Sequence, residues 1–473
     1  MDDVLVSRCP ADRADVVGRF AVADAHDVAD AVARARAAAR GWRDAGFETR
    51  AAVLYRFAAL ARERVEALAV LIAREVGKAL WDARAEASLL ATKVDATLAD
   101  GMRFVADIEA GPGARATFHP RGVLAVLGPF NFPAHLPNGH IVPALATGNA
   151  VVLKPSELAP AVGAWLAALW SEAGLPRGVL EVVHGGAEAG RALALHPDVD
   201  GVLFTGSWRA GRALAEAVLD QPGKLLALEM GGKNAMIVCA DADLDLAVAE
   251  AALSICATTG QRCSSLSRIF VETPLLEAFG ARLARVLGSV RAGAPLDPGV
   301  FMGPLVSDAA HARLLRYRAL ALEAGGERLA AGPTALPAPF AAPGLTLFGD
   351  ASQSHAYHRD EIFAPEAGVY PVVDLDHAIA AVNDCDYGLA ASVMTADRAR
   401  YEHAIGRVRT GILNWNRGTI GASGRLPFGG ARRSGNDRPA GILSTLYCAT
   451  SQSHLEYAGG FDPKTLPPGM PRP

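Results

Sequence analysis

The amino-acid sequence predicts a large α/β protein built around parallel β-sheets. From residue 123 onward, short apolar runs alternate with stretches of helical periodicity. The runs expected to form strands are Val123–Leu127 and residues 150–153, 179–183, 202–204, 224–228 and 235–238, with helices expected at 161–173 and 208–219. Strands and helices that alternate in this way form right-handed βαβ units, whose strands lie parallel. The chain has 473 residues, 51% of them hydrophobic, and at roughly 150 residues per domain this length predicts about three domains.

The first hundred residues are predicted to be helical. Residues 27–42 are rich in alanine, and Thr49 is a candidate N-cap for a helix whose apolar positions run from Val53 to Ile72 along one face. A second block of alternating strands and helices begins near Met230, with strands expected at residues 268–271, 368–373, 390–393 and 411–414. The last segment, 459–473, contains five prolines and three glycines, a composition that predicts a disordered tail.

Composition and charge exclude several classes of protein. Lys and Arg number 46 against 50 Asp and Glu, whereas a dedicated nucleic-acid-binding protein carries a basic excess. The six cysteines are too few for a disulfide scaffold and lack the spacing of zinc ligands, so no metal site is expected. Residues 123–153 carry no Asp, Glu, Lys or Arg, but four prolines would interrupt a membrane-spanning helix. Because the N-terminus also lacks the features of a signal peptide, we expect a cytoplasmic protein with free thiols.

One of the six cysteines differs from the others in its sequence context. Cys263 lies in the small, polar segment TTGQRCSS, which follows an apolar stretch of helical character. Gly260 permits a sharp turn before it, and Arg262 or exposed backbone amides would favour the reactive thiolate. The alternative is that Cys263, like most cysteines, is a small buried hydrophobic residue.

Two further polar residues stand beside apolar runs and glycines or prolines. Glu229 ends an apolar run and precedes two glycines. It is either a partly desolvated base with a pKa raised towards neutrality, or a carboxylate at a strand end in solvent. Asn131 lies between Pro129 and Pro133, where a rigidly held amide could donate to a developing oxyanion. An asparagine that caps a turn would have the same context.

Two segments favour nucleotide binding. Lys154 follows an apolar strand directly, which places it at the C-terminal edge where open α/β sheets bind ligands. Residues 203–211, LFTGSWRAG, predict a strand, a turn and a helix whose N-terminus could face a phosphate. The spacing departs from the dinucleotide-binding pattern GxGxxG, so this segment alone is weak evidence.

In this order, these segments resemble the aldehyde dehydrogenase superfamily. The matching motifs, spread over residues 128–430, are GPFNFP, VVLKPSE, FTGSWRAG, LEMGGKN, GQRCSS, DEIFAP and LPFGG. The resemblance implies a Rossmann-like NAD-binding domain at residues 1–105 and 121–230, and an α/β catalytic domain at residues 231–432. It also implies a small β oligomerisation element at residues 106–120 and 440–457, which would pair subunits into a homodimer or homotetramer.

The resemblance further assigns roles to individual residues. Cys263 matches the nucleophile, Glu229 the general base, and Asn131 the side chain that holds the oxyanion together with the backbone amide of Cys263. The positions that match cofactor contacts are Lys154 and Glu157 at the adenosine ribose, Gly206, Ser207 and Gly211 beside the pyrophosphate, and Glu361 and Phe363 at the nicotinamide ribose and ring. A carboxylate at Glu157 can bind the ribose hydroxyls and would repel a 2′-phosphate, which favours NAD⁺ over NADP⁺.

Within the family, three segments resemble the branch that oxidises N-succinylglutamate 5-semialdehyde: FPAHLPNGH, NWNRGTIGAS and SGNDRP. Because this aldehyde carries two carboxylates, its pocket needs cationic or amide donors. Arg417 and Arg425 lie in the segment that lines the substrate mouth in this family, and Arg438 and His135 are further candidates. The alternative for each arginine is a solvated charge on a loop.

The function expected from the sequence is NAD-dependent oxidation of an acidic N-acylated semialdehyde to its carboxylate, through a thiohemiacetal and a thioester on Cys263. A broad-range or other semialdehyde dehydrogenase is one alternative. A CoA-acylating dehydrogenase would pass the thioester to CoA, and a base at Glu229 favours hydrolysis instead. The intact set of Cys263, Glu229 and Asn131 also opposes a silent structural paralogue. We expect a small-molecule aldehyde as the substrate, and neither nucleic acid nor a membrane as a partner.

Overall fold

The structure is a computed structural model that describes residues 4–330, 336–352 and 354–472. Helices and strands are numbered separately from the N-terminus. The helices are α1 (Ala25–Asp44), α2 (Phe47–Glu63), α3 (Val65–Val76), α4 (Leu80–Ala99), α5 (His135–Ala146), α6 (Pro160–Glu172), α7 (Ala187–Leu195), α8 (Trp208–Ala217), α9 (Leu244–Cys256), α10 (Leu276–Gly288), α11 (Asp308–Glu323), α12 (Ala356–Arg359), α13 (Leu375–Asn383), α14 (Arg398–Ala404) and α15 (Ser444–Cys448).

The strands form two large sheets and four small ones. They are β1 (Val4–Cys9), β2 (Asp12–Ala21), β3 (Ile108–Gly111), β4 (Ala114–Pro120), β5 (Val123–Leu127), β6 (Ala150–Lys154), β7 (Leu180–Val182), β8 (Gly201–Gly206), β9 (Leu225–Met230), β10 (Asn234–Val238), β11 (Leu266–Glu272), β12 (Glu327–Ala330), β13 (Gly344–Leu347), β14 (Glu366–Val372), β15 (Tyr387–Gly388), β16 (Ala390–Met394), β17 (Ile412–Trp415), β18 (Pro427–Phe428), β19 (Ala431–Arg432), β20 (Ala440–Gly441) and β21 (Ala449–Leu455).

The first large sheet has five parallel strands in the order β7-β6-β5-β8-β9. Its side chains alternate between two cores: Leu124 and Val126 pack with α2 to α6, while Val123 and Ala125 pack with α1 and α7. Because helices cover both faces, the strands are continuous apolar runs, and the predicted parallel α/β fold is confirmed. After β5 the chain adds β6 and β7 on one side of it, and then crosses back to add β8 and β9 on the other side. A crevice opens where the strand order reverses in this way, at the C-terminal ends of β5 and β8.

The second large sheet has seven strands in the order β12-β13-β14-β11-β10-β16-β17. All neighbours are parallel except β12 and β13. The four strands predicted in this part of the chain coincide within two residues with β11, β14, β16 and β17. Here too the strands are buried on both faces, since Ala235 and Ile237 join one core and Met236 and Val238 the other.

A three-stranded antiparallel sheet joins distant parts of the chain, with β4 between β3 and β21. The domain boundaries and the pairing of subunits through this element stay predictions. Residues 1–3, 331–335, 353 and 473, which fall within the predicted domains and tail, lie outside the described residues. Residues 459–472 are mostly exposed, with one 3₁₀ turn at Pro463–Thr465, and the disordered tail also stays a prediction. Among the described residues, no helix is both long enough and apolar enough to cross a membrane.

The N-terminal hundred residues differ from the prediction in two places. The first is an antiparallel hairpin of β1 and β2, where helix was expected. The second is the helix expected after Thr49, which starts two residues earlier at Phe47 behind Gly46 and breaks at Arg64 into α2 and α3. The apolar stripe continues across the break because Val53 on α2 and Ile72 on α3 pack into the same core, so periodicity alone cannot reveal the interruption.

Candidate active site

Four of the sequence-predicted residues stand at one edge of the five-stranded sheet. Asn131 follows β5, Lys154 ends β6, Ser207 follows β8, and Glu229 is the penultimate residue of β9. Parallel strands end on the same side of their sheet, so the topology brings these residues together. The strand-end positions that sequence reasoning singled out therefore share one crevice.

The second sheet faces this crevice through the loops that precede its strands. Gly231 and Gly232 precede β10, Cys263 precedes β11, and Glu361 and Phe363 precede β14. A cavity of about 520 Å³ is lined from both sheets by residues that include Phe130, Asn131, Glu157, Gly206, Ser207, Glu229, Gly231, Cys263, Glu361 and Phe363. Lys154 and Gly211 lie just behind this lining, since Lys154 Nζ is 3.4 Å from the Glu157 carboxylate and Gly211 packs against Met230.

The loop that carries Cys263 is held in an unusual backbone conformation. Thr258, Thr259 and Gly260 all have positive φ, at 53°, 55° and 67°, a region that β-branched residues rarely enter. A Cβ at Gly260 would lie 2.3 Å from the backbone carbon of Ala364, so only glycine fits there. The Thr258 hydroxyl donates to the Asp82 carboxylate at 2.6 Å, which fixes the turn from outside the loop.

The thiol of Cys263 is half-buried and forms no disulfide. Burial, together with the carboxylates of Glu229 and Glu361, raises its pKa to about 12. The Arg262 charge and the Ser264 backbone amide do favour the thiolate, as the sequence predicted, but burial and the two carboxylates have the larger effect on the Cys263 pKa. Its guanidinium donates to Asp82 at 2.7 Å and to Thr258 at 2.8 Å. A base must therefore take the thiol proton before Cys263 can act as a nucleophile.

Asn131 is held beside the Cys263 loop by a hydrogen bond. The side-chain Nδ2 donates to the backbone oxygen of Gln261 at 2.8 Å, and the residue is buried. An amide nitrogen carries two hydrogens, so the second is available to the cavity that Asn131 lines. The Cys263 peptide is fixed as well, because Asn234 Nδ2 donates to the Cys263 oxygen at 2.7 Å. Both groups that the sequence predicts to hold an oxyanion are therefore fixed in place by hydrogen bonds.

Glu229 is a buried carboxyl group in the wall of the cavity. Only 6% of the residue is exposed, and burial raises the pKa of its carboxyl group well above the ordinary value. It also lines a second cavity of about 570 Å³, together with the glycine-rich turn around Gly429 and with Arg438. This environment matches the partly desolvated base rather than the solvent-exposed carboxylate, the two alternatives that the sequence left open.

The edge of the five-stranded sheet has the features of a dinucleotide cradle. Ser207 is the N-cap of the ten-residue helix α8, and its Oγ accepts from the Ala210 amide at 3.3 Å. The helix dipole and free backbone amides favour a phosphate at this end. A Cβ at Gly206 would lie 2.4 Å from the Phe204 ring, and one at Gly211 would lie 2.4 Å from the Met230 sulfur. Larger residues would therefore displace the walls of the cradle.

The opposite end of the cradle is built from Glu361 and Phe363. Burial raises the pKa of Glu361 to about 7, although its Oε1 accepts from the Gly232 amide at 3.0 Å. A Cβ at Gly231 would overlap this carboxylate, which explains the first glycine of the pair. Phe363 adopts a φ of 59° and packs edge-on against Phe130, with ring centroids 5.8 Å apart. The carboxylates of Glu157 and Glu361 can accept hydrogen bonds from the ribose hydroxyls of a dinucleotide. The N-terminus of α8, which lies between them in the sequence, can bind its pyrophosphate.

A buried charge cluster behind the cavity was missed by sequence reasoning. Lys78 Nζ lies 2.5 Å from Glu86 Oε2, and both side chains are fully buried. Glu86 Oε1 accepts the backbone amides of Ala134 and His135 at 3.0 and 3.1 Å, which anchors the start of α5 just after the Asn131 loop. Asp82, one turn earlier on α4, holds the Cys263 loop. The sequence did offer one signal of this cluster: Asp82 and Glu86 are four residues apart and so lie on one face of α4, among its apolar residues.

The substrate candidates are placed differently from the prediction. Arg417 and Arg425 are exposed and do not line the cavity, and Arg425 Nε lies 3.8 Å from Asp100. The segment between them reaches the cavity through Gly421–Gly424, whose small residues let the chain approach while the arginines stay in solvent. Arg438 lines the second cavity and His135 the first. Lys93, which sequence reasoning did not select, lines the first cavity as well.

This chain belongs to the aldehyde dehydrogenase family, whose model matches residues 2–453. It is similar to the N-succinylglutamate 5-semialdehyde dehydrogenase of Burkholderia thailandensis, with 41% identity over 99% of this chain and 96% of that protein. Among solved structures, a mutant aldehyde dehydrogenase C from Pseudomonas syringae complexed with NAD⁺ and octanal has a TM-score of 0.91 and 32% identity, covering 96% of this chain and 94% of that one. An Escherichia coli structure described as an NADP-dependent enzyme has a TM-score of 0.90 and 31% identity, covering 95% and 94%.

Proposed function

We propose that this protein catalyses the NAD⁺-dependent oxidation of an acidic N-acylated semialdehyde, N-succinylglutamate 5-semialdehyde, to its carboxylate. The observation that carries the proposal is the meeting of Cys263, Glu229 and Asn131 in one cavity beside a dinucleotide cradle. The choice of substrate is supported by the 41% identical relative of that name. A carboxylate at Glu157 supports NAD⁺ over NADP⁺, because it would repel a 2′-phosphate.

The first step is attack of the Cys263 sulfur on the aldehyde carbon. Because the thiol starts protonated, its proton passes to a water molecule as the C–S bond forms. The carbonyl electron pair moves to oxygen and gives the oxyanion of a thiohemiacetal. The free Nδ2–H of Asn131 and the backbone N–H of Cys263 stabilise this oxyanion, an effect of about 3 kcal/mol per donor.

NAD⁺, when bound, supplies the hydride acceptor that converts the thiohemiacetal on Cys263 into a thioester. Ser207 and the first amides of α8 would hold its pyrophosphate, and Glu157 would hold a ribose. Glu361 and Phe363 would hold its nicotinamide end. These residues would orient the hydride acceptor. Gly206, Gly211 and Gly231 allow this arrangement, because a Cβ at any of them would overlap a neighbouring side chain of the cradle.

Glu229 then completes the turnover as a base for water. It takes a proton while the water oxygen attacks the thioester carbon. The C–S bond then breaks to release the carboxylic acid and the Cys263 thiolate, which recovers the proton from Glu229. A desolvated carboxyl with a raised pKa suits this role better than an ordinary surface carboxylate, since its proton affinity is closer to that needed near neutral pH. A base in this position favours hydrolysis over transfer to CoA.

Variants of the two reacting side chains test the chemistry. Cys263→Ser is expected to bind NAD⁺ and to form no NADH, whereas Glu229→Gln is expected to give a first burst of NADH followed by slow steady-state turnover. Cys385→Ser is the matched control, since Cys385 is a buried cysteine outside the cavity. Equal turnover of Cys263→Ser and the parent enzyme would refute the mechanism. Loss of the burst in Glu229→Gln would place Glu229 in the first step, as the base that activates the thiol.

A panel of aldehydes tests the substrate. NADH or NADPH formation would be followed with N-succinylglutamate, succinate and glutamate semialdehydes and with hexanal. The proposal predicts the highest kcat/KM for the succinylated substrate with NAD⁺. Comparable values for all four aldehydes would support a broad-range dehydrogenase and would remove the substrate assignment, while leaving the chemistry intact. Addition of CoA is expected to change neither the rate nor the product.

A further inference from the structure

Lys93 is a buried cation in the wall of the active-site cavity. It lies on α4, is 6% exposed, and its Nζ donates to the Gly441 oxygen and to Ser444 Oγ, both at 2.8 Å. Among the described residues, no Asp or Glu pairs with it. Lysine is rarely buried without such a partner, and burial lowers the pKa of Lys93 to about 8. An ammonium group has three N–H donors, so the described contacts leave one unused.

The other cations that line this cavity are accounted for by protein contacts. Arg262 is paired with Asp82 at 2.7 Å. Arg313 is exposed and donates to the backbone oxygen of Glu361. In the described part of the chain, Lys93 is therefore the lining cation that combines burial with the lack of an acidic partner. A positive charge in that position attracts an anion into the cavity.

Two histidines on α5 line the cavity beside Lys93. Burial, together with the Lys93 charge, lowers the pKa of His135 to about 4 and that of His140 to about 3, so both imidazoles are neutral at neutral pH. His140 is engaged with Tyr447 and Thr205. His135 differs, because its Nδ1 is buried without a hydrogen-bond partner in the described structure. A neutral imidazole has one N–H donor, and since His135 lines the cavity it can donate a hydrogen bond next to the Lys93 charge.

The position of Lys93 along α4 separates it from the reacting end of the cavity. Glu86 on the same helix anchors the residues that follow the Asn131 loop. Lys93 lies seven residues further on, which corresponds to about 10 Å along the axis at 1.5 Å per residue. Leu89, on the same side of the helix, lines the cavity between them. An anion at Lys93 would therefore belong to the part of the substrate remote from the aldehyde.

We propose that Lys93 Nζ and His135 bind a carboxylate of the aldehyde substrate remote from the aldehyde group and so select acidic aldehydes over uncharged ones. This inference rests on the proposed function, since it assigns the substrate end of the same cavity. The bound carboxylate would accept a hydrogen bond from the third N–H of Lys93. It would also be the negatively charged partner that Lys93 lacks among the described residues. This carboxylate keeps its charge and place throughout the reaction, so the contact is expected to be equally strong in the ground state and the transition state, and its loss raises KM with little change in kcat.

Lys93→Met tests the proposal, because methionine keeps an unbranched side chain, one atom shorter, and removes the charge. The kcat/KM for N-succinylglutamate semialdehyde is expected to fall about 10- to 100-fold, mainly through KM, as a lost charge-assisted hydrogen bond implies. The value for hexanal is expected to stay the same or to rise. Binding of N-succinylglutamate to the NAD⁺-loaded enzyme, measured by calorimetry, is expected to weaken by the same factor.

Two control variants and one alternative test variant make the result specific to Lys93. Lys224→Met removes a lysine that also donates to two backbone oxygens but lies outside the cavity, and is expected to change neither substrate. Arg425→Met tests the sequence-based candidate and is also expected to change neither. Lys93→Gln retains two donors for Gly441 and Ser444, and replaces Lys93→Met as the test if that variant does not fold.

The outcomes separate this inference from the function on which it rests. Unchanged kcat/KM for the acidic aldehyde in the Lys93 variants would overturn the inference, and so would an equal loss on hexanal. A parent enzyme that oxidises hexanal but no carboxylated aldehyde would overturn both the inference and the substrate assignment. A parent enzyme that forms NADH with none of the aldehydes would overturn the proposed function itself.

Discussion

Glu86→Gln removes one charge from the fully buried pair of Lys78 and Glu86, and is expected to destabilise the protein strongly. Both side chains have no exposed area, and their charged atoms lie 2.5 Å apart. Glutamine can still accept the Ala134 and His135 amides, so most of the cost comes from the Lys78 charge that stays buried. Breaking a buried pair in this way costs about 3 to 5 kcal/mol. Asp82 remains near Lys78 and places the expected value near the lower end.

The double variant Lys78→Met/Glu86→Gln separates the pair from its surroundings. Replacing a buried pair with neutral groups of similar volume is often close to neutral, so the double variant should lose less than the two single variants combined. We expect a coupling energy of about 2 kcal/mol or more, a value typical of residues in direct contact. Lys78 also lies 3.6 Å from the centre of the Phe132 ring, a contact that methionine retains as a sulfur–aromatic contact.

Denaturant unfolding at fixed protein concentration measures these free energies, with fluorescence of the buried Trp42 and Trp170 as the signal. The kcat of Glu86→Gln is expected to fall while the Kd for NAD⁺ is kept, because Glu86 positions the residues next to the Asn131 loop and not the cradle. A cost below about 1 kcal/mol, or additive single variants, would refute the reasoning. It would mean that the charges of the cluster are satisfied independently of one another.

Two further predictions concern carboxylates of the dinucleotide cradle. Burial raises the pKa of Glu361 from 4.5 to about 7, so its protonated form contributes stability that is full below about pH 4.5 and is lost as the pH rises through 7; the size is about 3 kcal/mol. Glu361→Gln should flatten Tm against pH between 5 and 7, and an unchanged slope would contradict the assignment. Glu157→Gln should raise kcat/KM with NADP⁺ relative to NAD⁺, since it removes the charge that repels a 2′-phosphate; an unchanged ratio would show that Glu157 does not select the cofactor.

The two large sheets could be predicted from the sequence because their strands are covered on both faces. Such strands are continuous apolar runs bounded by glycine, proline and polar residues. The ends of a run such as Val123–Leu127 therefore predict the ends of the strand. The β1–β2 hairpin lacks this signal, because it lies at the surface with a mixed pattern of exposure. The break at Arg64 was invisible for the opposite reason, since one core covers the helices on both sides of it.

The site divides in the same way between what sequence can and cannot predict. Cys263, Glu229 and Asn131 stand at strand ends or in turns, where polar residues beside glycine or proline are conspicuous. Lys78 lies in the connection between α3 and α4, and Lys93 lies on α4. A charge in either context normally indicates a solvated surface, and only tertiary packing shows that both side chains are buried. Arg425 shows a further limit of the sequence: a segment can be predicted to line a cavity, but not which of its residues do so. Here Gly421–Gly424 lines the cavity and Arg425 is exposed, and its role in substrate binding stays a prediction.

The helix α4 connects the stability of the fold with both ends of the active site. Asp82 fixes the Cys263 loop and Glu86 fixes the start of α5, so the first half of the helix positions the segments that carry Cys263 and Asn131. Lys93, in the second half of the same helix, lines the cavity at the place proposed for a substrate carboxylate. Substitutions in the first half should therefore change kcat and stability together, while substitution of Lys93 should change KM for acidic aldehydes alone. A helix of this kind can alter substrate preference without disturbing the chemistry, because the two functions are separated along its length.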